Sequence, residues 1–197
     1  PMAPTREECI SLVETAERLD LHLVVCHVLR YAPFFEKIKE IVDSGVLGDI
    51  INIQLTENVA YWHYAHSFVR GIFNNSENAT PFILAKSSHD LDIILYLTGK
   101  RCESVVSEGG LTHFTRENAP AGAPPFCLDG CPAEKTCPFF APAFYLRQVQ
   151  QVGWPSNTIA VDDSYVSRLE ALKTGRYGRC VYQTDNNVND HQSAIFN

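Results

Sequence analysis

Two helical patterns flank one strand-like run in the first fifty residues. Apolar residues recur at helical spacing over 10–19, behind a capping box that starts at Thr5. The short apolar run His22–Cys26 is typical of a strand buried in a parallel sheet. Pro33 suits the first turn of a second helix, which Gly45 would end. The helix that leads into a strand indicates half of a βαβ unit.

From Asp49 onward the pattern indicates an α+β domain with a largely antiparallel sheet. Apolar and polar residues alternate over 51–56, which is the period of a strand with one solvated face. The segment 119–138 is rich in proline and cysteine and is predicted to be irregular. Further strands are predicted at 102–114, 179–183 and 190–197, and further helices at 139–151 and 164–174.

A single helix is predicted over 84–97, with four apolar residues facing a core (Leu91, Ile94, Leu95 and Leu97). Its first half carries Lys86 and His89 three positions apart, so both side chains share a face. Such a pair supplies a cationic donor and a group that titrates near neutral pH. The alternative is a helix N-terminus capped by Ser87 or Ser88, with aspartates that favour the helix dipole.

The segment 61–80 is predicted to be a polar loop that is dense in aromatic side chains and histidines. Aromatic rings suit stacking on a sugar ring, and polar groups beside them suit its hydroxyls. We therefore take His66 and Arg70 as candidate substrate-binding residues. The alternative is a packed loop whose histidines have hydrogen-bond partners inside the protein.

Three cysteines in the irregular segment form a separate pattern. Cys127, Cys131 and Cys137 have C-x3-C and C-x5-C spacings and could supply most of a structural zinc site. A fourth ligand would come from one of three other residues (His113, Cys102 or Cys180). The alternative is a set of reduced, buried thiols or one oxidised pair.

Composition narrows the functional classes. The 197 residues are 45% hydrophobic and 20% charged, as in ordinary globular proteins, with a net charge of -7 and no basic run. A nucleic-acid partner is therefore not expected. No apolar stretch approaches a membrane span, and the first residues lack the features of a signal peptide. Seven cysteines do not suggest a complete disulfide framework, so we expect a cytoplasmic protein.

Several motifs follow one another in an informative order. Pro1-Met2-Ala3 precedes the capped helix, and the segment His27–Pro33 follows the strand-like run. The helix-to-strand link 41–50 comes next, and His89-Asp90-Leu91-Asp92 supplies a His-x-x-Asp pattern. Together they resemble the glucose–fructose oxidoreductase/inositol dehydrogenase (Gfo/Idh/MocA) family of nicotinamide-dependent oxidoreductases, over essentially the whole chain.

The resemblance implies an α/β plus α+β fold class. Residues 1–47 would be the C-terminal part of a Rossmann NAD(P)-binding domain, and 48–197 a substrate-binding and dimerisation domain, incomplete at its C-terminus, with an open antiparallel sheet. The family transfers a hydride between NAD or NADP and a hydroxyl of a sugar-like or polyol-like substrate. A homo-oligomer that forms through the open sheet is also implied.

The resemblance also implies roles for individual residues. His89 would act as general acid/base or bind the substrate, and Lys86 could reach the same pocket. Pro1 would be the proline of the family's Glu-Lys-Pro motif, and Arg30 would lie on the nicotinamide or substrate side of the cleft.

Three features depart from the family pattern. No Gly-x-Gly-x-x-Gly turn and no motif lysine stand in this sequence, and Ala85 replaces the aspartate that many members carry four residues before the histidine. We therefore expect this chain alone to be an inactive fragment. The alternative function is a non-catalytic carbohydrate-binding or interaction protein that retains the fold, with or without a structural zinc.

Overall fold

The computed structural model describes residues 2–77, 79–146 and 153–197, which divide into two units. The first unit holds the chain up to Asn58, with Thr80–Ser107 and Ala194–Asn197. The second unit holds Val59–Ala79 and Glu108–Ser193. The domain boundary that the sequence indicates between residues 47 and 48 stays a prediction.

Short helices make up most of the regular structure in the described residues. They are α1 (Arg6–Arg18), α2 (Pro33–Asp43), α3 (Tyr61–Tyr64), α4 (Phe82–Ala85), α5 (Ser88–Thr98), α6 (Ala141–Tyr145) and α7 (Tyr165–Thr174). Two strands, β1 (Val105–Gly110) and β2 (His191–Phe196), pair into a small antiparallel sheet. No other strand joins this sheet within the described ranges, so the predicted open sheet is not formed there.

The helix ends that local signals predict are confirmed. The Thr5 amide donates to Glu8 Oε2 at 3.0 Å, and the Glu8 amide donates to Thr5 Oγ1 at 3.2 Å, which completes the capping box of α1. Helix α2 begins at Pro33, and Gly45 follows its end with a left-handed φ of 73°. The apolar stripe of α1 is nevertheless not covered, because none of the helix residues is buried.

Both strands predicted in the first unit are wrong for the described structure. The run His22–Cys26 is not a strand, and Val24 in it is 76% exposed. The alternating segment 51–56 is not a strand either, and Ile51 is 91% exposed. A strand needs a neighbour for its backbone N–H and C=O groups. No described segment pairs with either run.

The helix predicted over 84–97 is divided in two. Helix α4 ends at Ala85, and α5 begins at Ser88, with Lys86 and Ser87 in a turn between them. Ser87 is the N-cap, although its side chain caps no backbone group. Serine competes for backbone hydrogen bonds and favours such turns over helix interiors. The predicted core face is also shifted, because Ile93 is fully buried whereas Leu95 is exposed.

Helices in the second unit surround a core of side chains from distant segments. Helix α7 begins after Ser164, whose hydroxyl accepts the Ser167 amide at 3.1 Å, and this helix was predicted. The segment 61–80 is not a loop throughout, since α3 continues into a π-helical segment, Ala65–Arg70. The core cluster comprises Cys127, Ala141, Tyr145, Ile159 and Leu172.

The remaining predictions for the second unit have mixed outcomes. The segment 119–138 is irregular, as predicted, and β1 lies inside the predicted strand 102–114. The strand predicted over 179–183 is wrong, because only Arg179 forms a bridge, to Phe126. Of the helix predicted over 139–151, only α6 is formed, and residues 147–151 lie outside the described residues.

A buried carboxylate holds the chain after β1. Asp190 Oδ2 accepts the amides of Thr112, His113 and Phe114 at 3.0, 2.6 and 3.3 Å, and Oδ1 lies 2.9 Å from His191 Nδ1. Burial alone would raise the pKa of Asp190, but these hydrogen bonds bring it below its ordinary value. This side chain therefore stabilises the segment as a carboxylate.

Candidate functional site

A buried aspartate on α5 is the anchor of the polar cluster in the first unit. Asp92 is 8% exposed and accepts two hydrogen bonds from Arg30, from Nε to Oδ2 at 2.8 Å and from Nη2 to Oδ1 at 2.5 Å. His27 Nδ1 lies 3.3 Å from Oδ1. The hydrogen bonds from Arg30, followed by the charge of His27, hold the pKa of Asp92 below its ordinary value. Asp92 is therefore an ionised, fully engaged carboxylate.

The local backbone explains how Arg30 reaches Asp92. His27 has a φ of 41°, in the left-handed region, and the short 3-10 turn Val28–Tyr31 follows it. A non-glycine residue there costs about 1 kcal/mol, so surrounding contacts must hold it. The Arg30 guanidinium also lies 5.0 Å from the ring centroid of Tyr96, one helical turn beyond Asp92.

A second polar cluster lies at the turn between α4 and α5. Lys86 Nζ lies 2.8 Å from Glu57 Oε1, so the predicted cation has an acidic partner. Asp90, in the first turn of α5, is half-buried. Burial, and next the charge of Glu57, raise the pKa of Asp90, while a hydrogen bond with Ser87 opposes this shift. Lys86 and Glu57 thus form an ion pair beside a carboxyl that favours its protonated form more than usual.

His89 lies close to both clusters. Its side chain is half-buried in the first turn of α5. The imidazole acts on both carboxyl groups and favours the charged form of Asp90 and of Asp92. An imidazole near two carboxyl groups has nearby acceptors for a proton, which suits general acid–base chemistry.

The predicted substrate-binding residues of the second unit are buried among protein groups. His66 is 4% exposed, its Nδ1 lies 2.8 Å from the Tyr145 hydroxyl, and its ring stacks on Tyr177 at 4.8 Å. Burial, and next the charges of His63 and Arg70, lower the pKa of His66 to about 4. His66 is therefore neutral at neutral pH, and its substrate-binding role stays a prediction.

Arg70 is 3% exposed, and its guanidinium bonds to groups inside the second unit. Nε donates to the Arg179 carbonyl at 2.8 Å, and Nη2 donates to the Phe139 carbonyl at 2.7 Å and lies 3.7 Å from Cys127 Sγ. These contacts join three distant segments of the chain. They favour the alternative of a packed segment with internal partners, and the role in substrate binding stays a prediction.

The cysteines do not form the predicted zinc site. All seven are free thiols, and burial raises the pKa of Cys137 and that of Cys180. Within the described ranges no three histidine, cysteine or acidic side chains are placed to hold a metal ion. Cys127, Cys131 and Cys137 therefore do not fit a zinc ion as they are placed.

Two other candidate residues belong to the cofactor prediction. Pro1 lies outside the described residues. Arg30 is half-exposed, and its guanidinium is engaged by Asp92, which matches the ion pair that a charged surface residue commonly forms. Its role in cofactor binding stays a prediction.

Similarity to known proteins supports an oxidoreductase. The proposed oxidoreductase YteT of Bacillus subtilis is 27% identical over 115 residues, which are 58% of this chain and 26% of YteT. A 1-carboxy-3-chloro-3,4-dihydroxycyclohexa-1,5-diene dehydrogenase of Comamonas testosteroni is 27% identical over 107 residues, 54% of this chain and 26% of that enzyme. The chain resembles the Gfo/Idh/MocA oxidoreductases over about 55% of its length.

A third relative of this type is named as a regulator. It is the galactose/lactose metabolism regulatory protein GAL80 of Kluyveromyces lactis, 24% identical over 112 residues, 55% of this chain and 24% of GAL80. The matched part of the chain spans about a quarter of the length of these relatives. No family model matches the chain. No solved structure matches it either.

Sequence patterns did not single out every member of the site. Glu57 follows an alternating segment and has no motif around it, so no sequence signal pointed to it. His27 and Asp92 lie within the motifs of the resemblance, but their ion pair depends on the tertiary fold. Asp90 is a variable position of the His-x-x-Asp pattern, and its only other sequence signal is the favourable charge it offers the helix dipole.

Proposed function

We propose that this chain is part of an oxidoreductase that transfers a hydride between NAD or NADP and a hydroxyl of a sugar-like or polyol-like substrate. The single observation that carries the proposal is the position of His89, half-buried and close to two carboxyl groups. Oxidation of a hydroxyl releases a proton as well as a hydride, so the site needs a proton acceptor. The resemblance to oxidoreductases supports the same reaction class.

The residues of this chain suit the proton-transfer part of that reaction. When bound, the nicotinamide would supply the hydride acceptor. No glycine-rich phosphate-binding turn stands in this sequence, so none of its residues is assigned to the pyrophosphate of the cofactor. The chain's own contribution is to orient the hydroxyl and to take its proton at the imidazole of His89. The Arg30–Asp92 pair orients α5, because its two parallel hydrogen bonds hold Asp92 in one geometry.

Partners and location follow from the same proposal. The substrate would be a small molecule, the protein a cytoplasmic homo-oligomer, and neither a nucleic acid nor a membrane would be a partner. Across the residues that the structure describes, no helix has the length and hydropathy that a membrane crossing requires. The two relatives that are named as an oxidoreductase and a dehydrogenase favour an enzyme over a non-catalytic binding protein.

Kinetics of the full-length protein test the proposal. NAD or NADP is added with a panel of sugars and polyols, and absorbance of the reduced nicotinamide is followed. Substitution His89→Gln is expected to lower kcat by about 100-fold, the usual value of a general acid–base group. His22→Gln, at an exposed histidine of the same unit, is the matched control and should leave kcat unchanged. If calorimetry detects no nicotinamide binding, or no substrate reduces the cofactor, the proposed function is wrong.

A further inference from the structure

His27 and Arg30 meet on the same buried carboxylate of α5. Arg30 holds Asp92 through two hydrogen bonds, from Nε to Oδ2 at 2.8 Å and from Nη2 to Oδ1 at 2.5 Å. His27 Nδ1 lies 3.3 Å from the same Oδ1. The guanidinium balances the charge of Asp92 and fixes the carboxylate in one geometry. Asp92 is therefore a fixed acceptor that sets the orientation of the His27 ring.

The contact with Asp92 also determines which nitrogen of His27 carries the proton. A neutral imidazole has one N–H donor and one acceptor nitrogen. A carboxylate beside Nδ1 favours the proton on that nitrogen, because an unprotonated Nδ1 would turn its lone pair toward negative charge. The two nitrogens lie on different edges of the ring, so Nε2 is the acceptor and points away from Asp92.

The acceptor edge of His27 is accessible. The His27 side chain is 35% exposed, whereas that of Asp92 is 8% exposed. Across the residues that the structure describes, Nε2 forms no hydrogen bond with another group. A carboxylate that orients an imidazole whose other nitrogen is accessible is an arrangement by which enzymes engage hydroxyl groups.

The backbone of His27 is held in a conformation that few residues with a Cβ adopt. Its φ of 41° lies in the left-handed region, and such conformations cluster at ligand-binding sites. The Arg30 amide donates to the His27 carbonyl at 3.0 Å in the turn that follows. This turn sets the distance between the two groups that meet on Asp92. His89 precedes Asp92 by three positions and shares its face of α5, so one small ligand can lie beside both histidines.

We propose that His27 Nε2 accepts a hydrogen bond from a hydroxyl group of the substrate, with Asp92 and Arg30 as the residues that position the imidazole. The inference rests on the proposed function, which supplies a sugar-like or polyol-like substrate with several hydroxyl groups. His89 takes the proton of the hydroxyl that is oxidised, and His27 binds a second hydroxyl and orients the substrate. No covalent bond forms or breaks at His27.

The first test determines the tautomer of His27 in the full-length protein without any ligand. Nitrogen NMR of protein labelled at histidine reports which ring nitrogen carries the proton. We expect Nδ1 in the neutral ring of His27, whereas the exposed His22 of the same unit should keep the tautomer mixture of free histidine. Asp92→Asn should shift His27 toward that mixture. A wild-type His27 with its proton on Nε2 overturns the proposal, because no acceptor would be left for a hydroxyl.

The second test measures binding and does not depend on turnover. Calorimetry of the full-length protein, with and without NAD, compares the sugars and polyols of the panel with their single-deoxy analogues. In the wild type, loss of the hydroxyl that His27 binds should raise Kd about 10-fold. His27→Asn keeps a residue type that tolerates the left-handed backbone, and it should bind the parent compound and that analogue equally. His22→Asn is the matched control and should discriminate between them as the wild type does.

The outcomes separate this inference from the proposed function. If His27→Asn discriminates between parent and deoxy compounds as strongly as the wild type, or if no compound binds, the inference is overturned. A Kd that rises for NAD but not for the substrate also overturns it, because the hydroxyl would then belong to the cofactor. Binding that depends on His27 without reduction of any nicotinamide supports the inference and refutes the proposed function.

Discussion

Substitution of Arg70 tests whether this residue supports the second unit. Its guanidinium donates to the carbonyls of Arg179 and Phe139 and contacts the Cys127 thiol, and only 3% of the residue is exposed. Methionine has a similar unbranched, apolar stem but no donor. Arg70→Met should therefore remove the guanidinium donor from the carbonyls of Arg179 and Phe139, in segments that lie far apart in the sequence.

The expected loss of stability follows from these two hydrogen bonds. A hydrogen bond from a charged donor contributes about 1.5–3 kcal/mol net, so two of them give about 3–6 kcal/mol. We expect Arg70→Met to lower the free energy of unfolding by about 4 kcal/mol. Arg70→Lys should lose about half of this, because a single ammonium cannot reproduce the guanidinium fork.

Urea denaturation followed by tryptophan fluorescence measures the effect. Trp62 and Trp154, the two tryptophans of the chain, both lie in the second unit, so the signal reports on that unit. Arg116→Met is the matched control at an exposed arginine of the same unit. If Arg70→Met unfolds at the wild-type urea concentration, and substrate KM rises instead, the structural assignment is refuted and the substrate-binding prediction is favoured.

Three further predictions concern stability. Asp190→Asn should destabilise the protein by about 2 kcal/mol at neutral pH. The difference should shrink as the pH falls through the lowered pKa of Asp190, because the wild type then loses its ionised carboxylate too. Urea titrations at several pH values measure this. Because the pKa of His66 is lowered to about 4 in the folded protein, the unfolded chain binds this proton more tightly than the folded one. The contribution of His66 to the free energy of unfolding should therefore fall by about 3 kcal/mol between pH 6.5 and 4. The slope should be smaller by this amount in His66→Phe, and an unchanged slope contradicts the assignment. Gly178→Ala should prevent normal folding of the second unit, because its Cβ would lie 1.8 Å from the Leu172 carbonyl oxygen; a wild-type melting temperature would contradict this.

Elements that depend on a few adjacent residues were predictable. The capping box at Thr5 and the helix start at Pro33 are set by side-chain and backbone groups within one turn, and both are confirmed. The run His22–Cys26 has the composition of a buried strand, yet it forms none in the described structure. The composition of a segment indicates whether it favours an extended backbone. A strand also needs a second segment at hydrogen-bonding distance, and none of the described residues pairs with His22–Cys26.

Only those residues of the candidate site that belong to a sequence motif were predictable. His89 and Asp92 stand out by spacing, and the resemblance covers them. Glu57 is far from these residues in the sequence, and it contacts Lys86 because the chain folds back on the turn before α5. Charge pairing over such a separation depends on tertiary structure, so composition and periodicity carry no information about it.

The buried His66 and the half-buried His89 differ in the groups that surround the imidazole. His66 lies among the aromatic rings of Tyr145 and Tyr177, and the charge of Arg70 acts on it, so a proton on its ring would meet repulsion. His89 lies near Asp90 and Asp92, which offer negative charge to the protonated ring. A general base must both take a proton and have a group that receives or stabilises it. The proposed acid–base role therefore suits His89 rather than His66, whose expected role is to pack in the second unit and to hydrogen-bond with Tyr145.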